Sequence, residues 1–201
     1  MNDILSRKIV LDLQKWMDRK EIIAIKGPRQ AGKTTVMEIL SRELVQSGVK
    51  EENIVFLTFE DMEILEAFIK DPKSFVKSYV RNEERHYFFF DEYQYVPDGG
   101  KKLKLLYDTF HNIKFIISGS SSLELTDKLS KFLVGRVFSF TLYPFDFGEF
   151  LEAKDKRLSQ IYKEKNKLLR DFLVEGKPFA VKEDIFVNEV LKLFELYSVY
   201  G

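Results

Sequence analysis

Short apolar runs alternate with amphipathic stretches over the first three quarters of this 201-residue chain. Apolar runs of this length, bounded by turn-forming residues, predict β-strands, and their nearly continuous apolar character is typical of a parallel sheet that is covered on both faces. The predicted strands are Glu21 to Lys26, Asn53 to Phe59, His86 to Phe90, Lys114 to Ile117 and Val137 to Leu142.

The stretches next to these strands carry apolar residues at the three- and four-residue spacing of an amphipathic helix. Strand and helix therefore alternate, which predicts an α/β fold with a five-stranded, mostly parallel sheet flanked by helices. The predicted helices are Ile4 to Arg19, Lys33 to Gln46, Met62 to Arg81 with a break before Pro72, Lys101 to Phe110 and Leu123 to Leu133.

The strand pattern ends after Phe145, and the remaining sequence has only helical periodicity. We therefore predict two domains, a core over residues 1–145 and a helical segment over residues 146–201, with a boundary near Pro144. The last predicted helix, Ile185 to Leu196, lacks a clear C-terminal capping residue. This is what a chain cut from a longer protein would show.

A phosphate-binding motif joins the first strand to the second helix. Gly27 to Thr34 reads G-P-R-Q-A-G-K-T and matches G-x-x-x-x-G-K-[ST], in which backbone N–H groups surround the phosphates, Lys33 reaches the β- and γ-phosphates and Thr34 ligates Mg²⁺. The alternative is a glycine-rich turn with a solvated lysine. The residues predicted to contact the nucleotide are Gly27, Pro28, Arg29, Gln30, Ala31, Gly32, Lys33, Thr34 and Thr35.

Two adjacent carboxylates end the third predicted strand, in the string HYFFFDE. We expect Asp91 to hold Mg²⁺ and Glu92 to orient and deprotonate an attacking water, although a solvated pair at a strand end is the simpler alternative. A strand between the phosphate loop and this pair favours ATP hydrolysis over a GTPase switch. The chain also lacks an N-K-x-D guanine-binding string, so the nucleotide is predicted to be ATP.

Two further polar residues are candidates for contact with the γ-phosphate. Ser120, with Ser118 as the second choice, ends the fourth strand in FIISGSSS and would act as a sensor, unless these serines cap the next helix. Arg136 would reach the γ-phosphate of its own chain or of a neighbouring subunit, and an ordinary surface arginine is the alternative.

Composition mainly excludes classes of function. The 32 Lys and Arg balance the 32 Asp and Glu, so no overall positive field attracts nucleic acid or lipid. Without cysteine and with two histidines, the chain has no thiol nucleophile, no cysteine zinc site and no zinc site with three histidines. Charges interrupt every apolar stretch before it is long enough to cross a membrane, so we expect a cytoplasmic protein.

The motif strings GPRQAGKTT, FFFDEYQ, IISGSSSL and LVGRVFSFTLYPFDFGEFL follow one another in this order. In this respect the chain, over about residues 7–152, resembles the prokaryotic predicted ATPases of the AAA+ class. Members of that class commonly continue into a C-terminal domain of unknown function. Val96 to Gly100 departs from the family pattern, which often has an aromatic residue after the proline. The resemblance implies a parallel ATPase core followed by helices, with family motif positions at Lys33, Thr34, Asp91, Glu92, Ser120 and Arg136.

The leading hypothesis is an AAA+-like module that hydrolyses ATP and thereby rearranges the helical segment. The alternative is a nucleotide-gated switch with negligible hydrolysis that presents Lys154 to Tyr197 to a protein or DNA partner. Residues 152–171 hold seven basic and four acidic residues, which is also typical of a solvated helix face. A kinase is a third alternative, but it would need an acceptor pocket that the sequence does not indicate. Whether the chain forms a homo-oligomer that supplies Arg136 in trans is left open by the sequence.

Overall fold

Five parallel strands form one sheet in the computed structural model, which describes residues 7–120, 132–178 and 185–200. Their order across the sheet is β2-β3-β4-β1-β5. All paired strands run in the same direction, so all their carboxyl ends meet at one edge. The predicted α/β fold class is confirmed. The strands are β1 Ile22–Gly27, β2 Ile54–Thr58, β3 His86–Asp91, β4 Ile113–Ser120 and β5 Val137–Thr141.

Apolar side chains cover both faces of this sheet. Along β3, Phe88 and Phe90 belong to one buried cluster, whereas Tyr87 and Phe89 belong to another on the opposite face. This follows from strand geometry, since successive side chains point to opposite faces. A strand that is buried on both faces needs apolar residues at every position, which explains the continuous apolar runs in the sequence.

An aromatic cluster forms in the core behind the end of β3. It consists of Phe59, Phe68, Phe90 and Tyr93, whose ring centroids lie between 4.9 and 6.4 Å apart. Tyr93 is fully buried, and its hydroxyl donates a hydrogen bond to the Gly99 carbonyl at 3.0 Å. The cluster therefore fixes the chain directly after the two adjacent carboxylates.

The helices of this core follow the predicted pattern, and the proline break is confirmed. Asp71 ends one helix and caps the next, because its Oδ1 accepts hydrogen bonds from the backbone N–H groups of Lys73 and Ser74, both at 3.1 Å. The predicted helix from Leu123 to Leu133 falls largely on residues 121–131, outside the described residues. The helices are α1 Lys8–Gln14, α2 Lys33–Gln46, α3 Met62–Lys70, α4 Pro72–Tyr79 and α5 Gly99–Thr109.

The first helix is shorter than its apolar periodicity predicts. It ends at Gln14, and the prediction that it continues to Arg19 is wrong. Beyond Gln14 the backbone forms turns in which the N–H groups of Trp16 and Met17 donate hydrogen bonds to the carbonyl oxygens three residues earlier. Met17 is nevertheless buried. The helical spacing of buried apolar residues therefore continues beyond the end of the helix.

A buried lysine on β4 holds this turn in place. Lys114 Nζ donates hydrogen bonds to the carbonyl oxygens of Trp16 at 2.7 Å, of Arg19 at 3.0 Å and of Glu21. Burial lowers the pKa of Lys114 from 10.5 to about 7. The start of β1 is thus anchored to its neighbour β4 by the amino group of one side chain.

This pKa shift predicts a pH-dependent stability. Between about pH 7 and pH 10.5 the unfolded chain binds a proton that the folded chain does not, so the free energy of unfolding should rise with pH, by up to about 1.4 kcal/mol per pH unit. Urea unfolding at several pH values measures this slope. Lys114→Met should flatten it, and an unchanged slope in that variant would contradict the assignment.

The chain divides into two compact units, of which the sheet unit is Ile9–Tyr143. The second unit is Met1–Lys8 together with Pro144–Gly201, and three helices lie in its described part after Tyr143. A capping box of Asp146 and Glu149 begins the first of them, and Glu149 is also paired with the buried Arg7 at 3.3 Å. These helices are α6 Phe147–Lys154, α7 Lys156–Glu175 and α8 Val187–Tyr200.

Several basic residues of this helical unit already have acidic partners. Arg157 forms an ion pair with Glu189 at 2.8 Å, and Lys163 forms one with Glu152 at 2.7 Å. The local excess of basic residues over residues 152–171 is therefore partly offset by Glu189, which lies outside that stretch. Within the described ranges, no helix is both long enough and apolar enough to cross a membrane.

Candidate nucleotide site

The phosphate loop leaves the carboxyl end of β1 and enters α2 through left-handed backbone. Gln30 has φ 63° and Gly32 has φ 88°, conformations that turn the chain sharply. Among the described residues, no side chain caps the N-terminus of α2, and its first turn has no acidic residue. The N–H groups of that turn, together with the positive end of the helix dipole, therefore favour an anion.

Only glycine fits at the first position of the loop. A Cβ at Gly27 would lie 2.4 Å from the Leu142 carbonyl oxygen, far inside van der Waals contact. The chain at Leu142 also donates its backbone N–H to the Lys26 carbonyl at 2.6 Å, directly after β5. The start of the loop is thus packed tightly against the neighbouring strand.

Lys33 is the first residue of α2, and its side chain is 4% exposed. Its Nζ donates hydrogen bonds to the carbonyl oxygens of Gly27 at 3.3 Å and Pro28 at 3.1 Å. The same atom lies 3.8 Å from Glu92 Oε1, which makes an ion pair. A buried ammonium with these contacts is available to the phosphate groups of a nucleotide.

Thr34 and Asp91 meet although they lie 57 residues apart in sequence. Thr34 Oγ1 donates a hydrogen bond to Asp91 Oδ2 at 2.6 Å, and Asp91 is 4% exposed. A hydroxyl and a carboxylate oxygen are ligands that suit Mg²⁺. The described residues contain no group of three or more His, Asp or Glu that could hold a metal. By the chemistry of its two oxygen donors, the Thr34–Asp91 pair fits Mg²⁺.

Ser118 on β4 connects the Asp91 carboxylate to the backbone of Glu92. Its hydroxyl donates a hydrogen bond to Asp91 Oδ1 and accepts one from the backbone N–H of Glu92 at 3.1 Å. Ser120 lies two residues further on and pairs with Gly27 in the sheet register. The structure thus brings both serines to the site, and it is the hydroxyl of the second choice, Ser118, that contacts Asp91.

Glu92 leaves the strand with a left-handed backbone, φ 53° and ψ 44°, which is rare for a residue with a side chain. One of its carboxylate oxygens faces Lys33, and the other, Oε2, accepts a hydrogen bond from Gln94 Nε2. Gln94 Oε1 in turn accepts a hydrogen bond from the Ser120 backbone N–H at 3.2 Å. Sequence reasoning did not select Gln94, although the string FFFDEYQ contained it.

Arg136 lies away from the phosphate loop of its own chain. It directly precedes β5, whose first residue pairs with Ile22 at the start of β1, whereas the loop follows Gly27 at the other end. Five residues of strand separate the two positions, or about 17 Å. Arg136 instead forms an ion pair with Asp108 at 3.3 Å. Contact with the γ-phosphate within one chain is therefore incompatible with the structure, and contact in trans stays a prediction.

The remaining loop residues differ in exposure. Ala31 is buried in the core, where it packs with residues on the α2 side of the sheet. Pro28, Arg29 and Gln30 are exposed, as is Thr35 in the first turn of α2. Their predicted contacts with nucleotide stay predictions.

The chain is similar to a known protein family and to proteins of other organisms. A family model described as AAA domain matches residues 19–151. An uncharacterized protein of Haemophilus influenzae is 32% identical over 157 residues, which is 76% of this chain and 38% of that protein. An uncharacterized protein of Methanocaldococcus jannaschii is 29% identical over 190 residues, 90% of this chain and 41% of that protein. The chain thus spans about two fifths of the length of these relatives.

Solved structures show more distant likenesses. A DNA polymerase III gamma subunit-related protein from Thermotoga maritima has a TM-score of 0.49 and 14% identity, with 93% of this chain and 57% of that chain covered. AMPPCP-bound DnaA from Aquifex aeolicus has a TM-score of 0.48 and 12% identity, with 96% and 60% covered.

Proposed function

We propose, because this chain belongs to the AAA domain family, that it binds ATP with Mg²⁺ at the edge of its sheet and hydrolyses the nucleotide. One observation carries this proposal. Asp91 and Glu92, at the end of β3, contact Thr34 and Lys33 of the phosphate loop. The proposed metal ligands, Thr34 and Asp91, and the proposed base, Glu92, thus lie next to the residues that would hold the phosphates.

The binding step uses the phosphate loop and the first turn of α2. Backbone N–H groups from this turn would donate to phosphate oxygens, and the Lys33 ammonium would neutralise the β- and γ-phosphates. Thr34 and Asp91 would hold Mg²⁺, which supplies charge neutralisation for the phosphates when it is bound. The left-handed Gly32 supports this role, since it allows the backbone to turn closely around an anion.

The hydrolytic step depends on Glu92. Its carboxylate would orient a water molecule and accept a proton from it as the water oxygen forms a bond to the γ-phosphorus. The bond between the γ-phosphorus and the bridging oxygen breaks, and ADP leaves with that bond's electron pair. Ser118 would support this step by holding both Asp91 and the Glu92 backbone N–H. Hydrolysis would then drive a rearrangement of the helices after Pro144.

Phosphate release tests this proposal. The purified chain should release phosphate from ATP when Mg²⁺ is present and stop when EDTA is added in excess. If the chain binds ATP but releases no phosphate above the background, the nucleotide-gated switch becomes the better assignment. A chain that binds neither ATP nor ADP would contradict both.

The same assay at increasing protein concentration tests the role of Arg136 in trans. A site completed by a neighbouring subunit should show a specific activity that rises with protein concentration, whereas a self-sufficient site should give a flat profile. Arg136→Ala should abolish such a rise, because it would remove the cation that the neighbour supplies. A rise that persists in this variant would exclude Arg136 as its source.

A further inference from the structure

Gln94 makes two hydrogen bonds with its one carboxamide, and both lead to residues of the candidate site. Its Nε2 donates to Glu92 Oε2, and its Oε1 accepts from the Ser120 backbone N–H at 3.2 Å. A carboxamide can join these two partners because it offers a donor at one end and an acceptor at the other. We call this arrangement the Gln94 bridge.

The bridge connects two segments that are distant in sequence, the turn after β3 and the end of β4. Ser120 ends β4 and pairs in register with Gly27, the first residue of the phosphate loop. Glu92 belongs to the turn after β3, and its Oε1 is 3.8 Å from Lys33 Nζ. Gln94 thus links the carboxylate after β3 to the strand end that adjoins the loop.

The two oxygens of the Glu92 carboxylate therefore have different partners. Oε1 faces the ammonium of Lys33, and Oε2 receives the Gln94 amide. The Glu92 backbone is left-handed and is held by hydrogen bonds from its N–H to Ser118 Oγ and to Asp91 Oδ1, both at 3.1 Å. With the backbone fixed in this way, the orientation of the carboxylate depends on Lys33 and Gln94.

We propose that Gln94 is a positioning residue for hydrolysis, which orients the Glu92 carboxylate by tying it to the end of β4. The inference rests on the proposed function, since it needs Glu92 to act as the base. When Lys33 engages phosphate, Gln94 remains as the partner that keeps the carboxylate from rotating. Gln94 acts through Glu92 and through the backbone of Ser120, so the Ser120 hydroxyl has no part in the bridge.

Gln94→Met tests this inference, because methionine has a similar length and forms neither hydrogen bond. We expect kcat for ATP hydrolysis to fall about 10- to 100-fold, the usual cost of a misplaced catalytic group. The dissociation constant for ATP, measured by equilibrium binding, should change less than about 3-fold, since Gln94 does not contact the loop residues that hold the phosphates. Gln94→Ala should behave in the same way without the bulk of a new side chain.

The same substitution in the Glu92→Gln background separates positioning from a general structural role. If Gln94 acts through Glu92, the double variant should hydrolyse ATP no more slowly than Glu92→Gln alone. Additive losses, or an equal loss of ATP affinity, would show a structural role and overturn the proposal. Gln46→Met is the matched control, since Gln46 is exposed at the far end of α2, and it should keep the wild-type kcat.

The outcomes also separate this inference from the proposed function. If Glu92→Gln abolishes turnover but Gln94→Met retains the wild-type kcat, the bridge has no catalytic role, and hydrolysis by Glu92 stands. If Glu92→Gln itself hydrolyses ATP at the wild-type rate, both the proposed mechanism and the bridge are wrong.

Discussion

Glu92→Gln should lower kcat for ATP hydrolysis by about 10²- to 10⁴-fold, the range that a general base contributes. The amide has nearly the shape of the carboxylate but cannot accept the proton of the attacking water. It also ends the ion pair with Lys33, whose Nζ lies 3.8 Å from Glu92 Oε1, so ATP affinity should stay equal or increase. Phosphate release and equilibrium binding of ATP, measured on the same preparation, check both parts.

Glu60→Gln is a suitable control for this variant. Glu60 follows β2 at the same edge of the sheet, and its side chain is exposed. The control should keep the wild-type kcat, because it makes the same chemical change outside the site. Equal turnover in wild type and Glu92→Gln would show that Glu92 is not the base.

Lys33→Ala should weaken ATP binding by about 10- to 100-fold. A hydrogen bond to a charged group contributes about 1.5–3 kcal/mol, and Lys33 is the buried cation of the loop that would meet the phosphates. Titration with a fluorescent ATP analogue measures the dissociation constant, and thermal unfolding without nucleotide shows whether the fold persists. Lys70→Ala, at an exposed lysine on α3, is the control and should bind as wild type does.

An unchanged dissociation constant in Lys33→Ala would exclude this lysine as the phosphate ligand. A variant that unfolds below room temperature would instead show that the ammonium is needed for the fold. Its hydrogen bonds to the carbonyls of Gly27 and Pro28 are contacts that alanine cannot replace. The two readouts therefore separate binding from folding.

The strands and the loop were predictable because burial leaves a strong pattern. HYFFF has no polar residue after its histidine, which is what a strand buried on both faces requires, and β3 indeed runs from His86. Pro72 breaks the predicted long helix as expected, since proline cannot continue a helix and is accepted in a first turn. These features depend on local sequence, so the sequence alone was sufficient to predict them.

The arrangement of the site depends on register between strands, which a single sequence does not reveal. The string FIISGSSS led us to choose Ser120 before Ser118, whereas the pairing of β4 with its neighbours directs the Ser118 hydroxyl to Asp91. Arg136 is close to a glycine and a strand, but the pairing of β5 with β1 places it at the opposite edge from the loop. Gln94 was not selected because its partners, in the turn after β3 and at the end of β4, meet only in the folded chain.

The aromatic cluster behind β3 has a consequence for how the site moves. Loops at functional sites often open independently of the core, because few buried contacts hold them. The turn that carries Glu92 is different, since Tyr93 follows it directly and is packed among Phe59, Phe68 and Phe90. Opening this turn would expose that core. We therefore expect the backbone amides of this turn to exchange slowly with solvent, and motion during turnover to occur mainly in the segments around it.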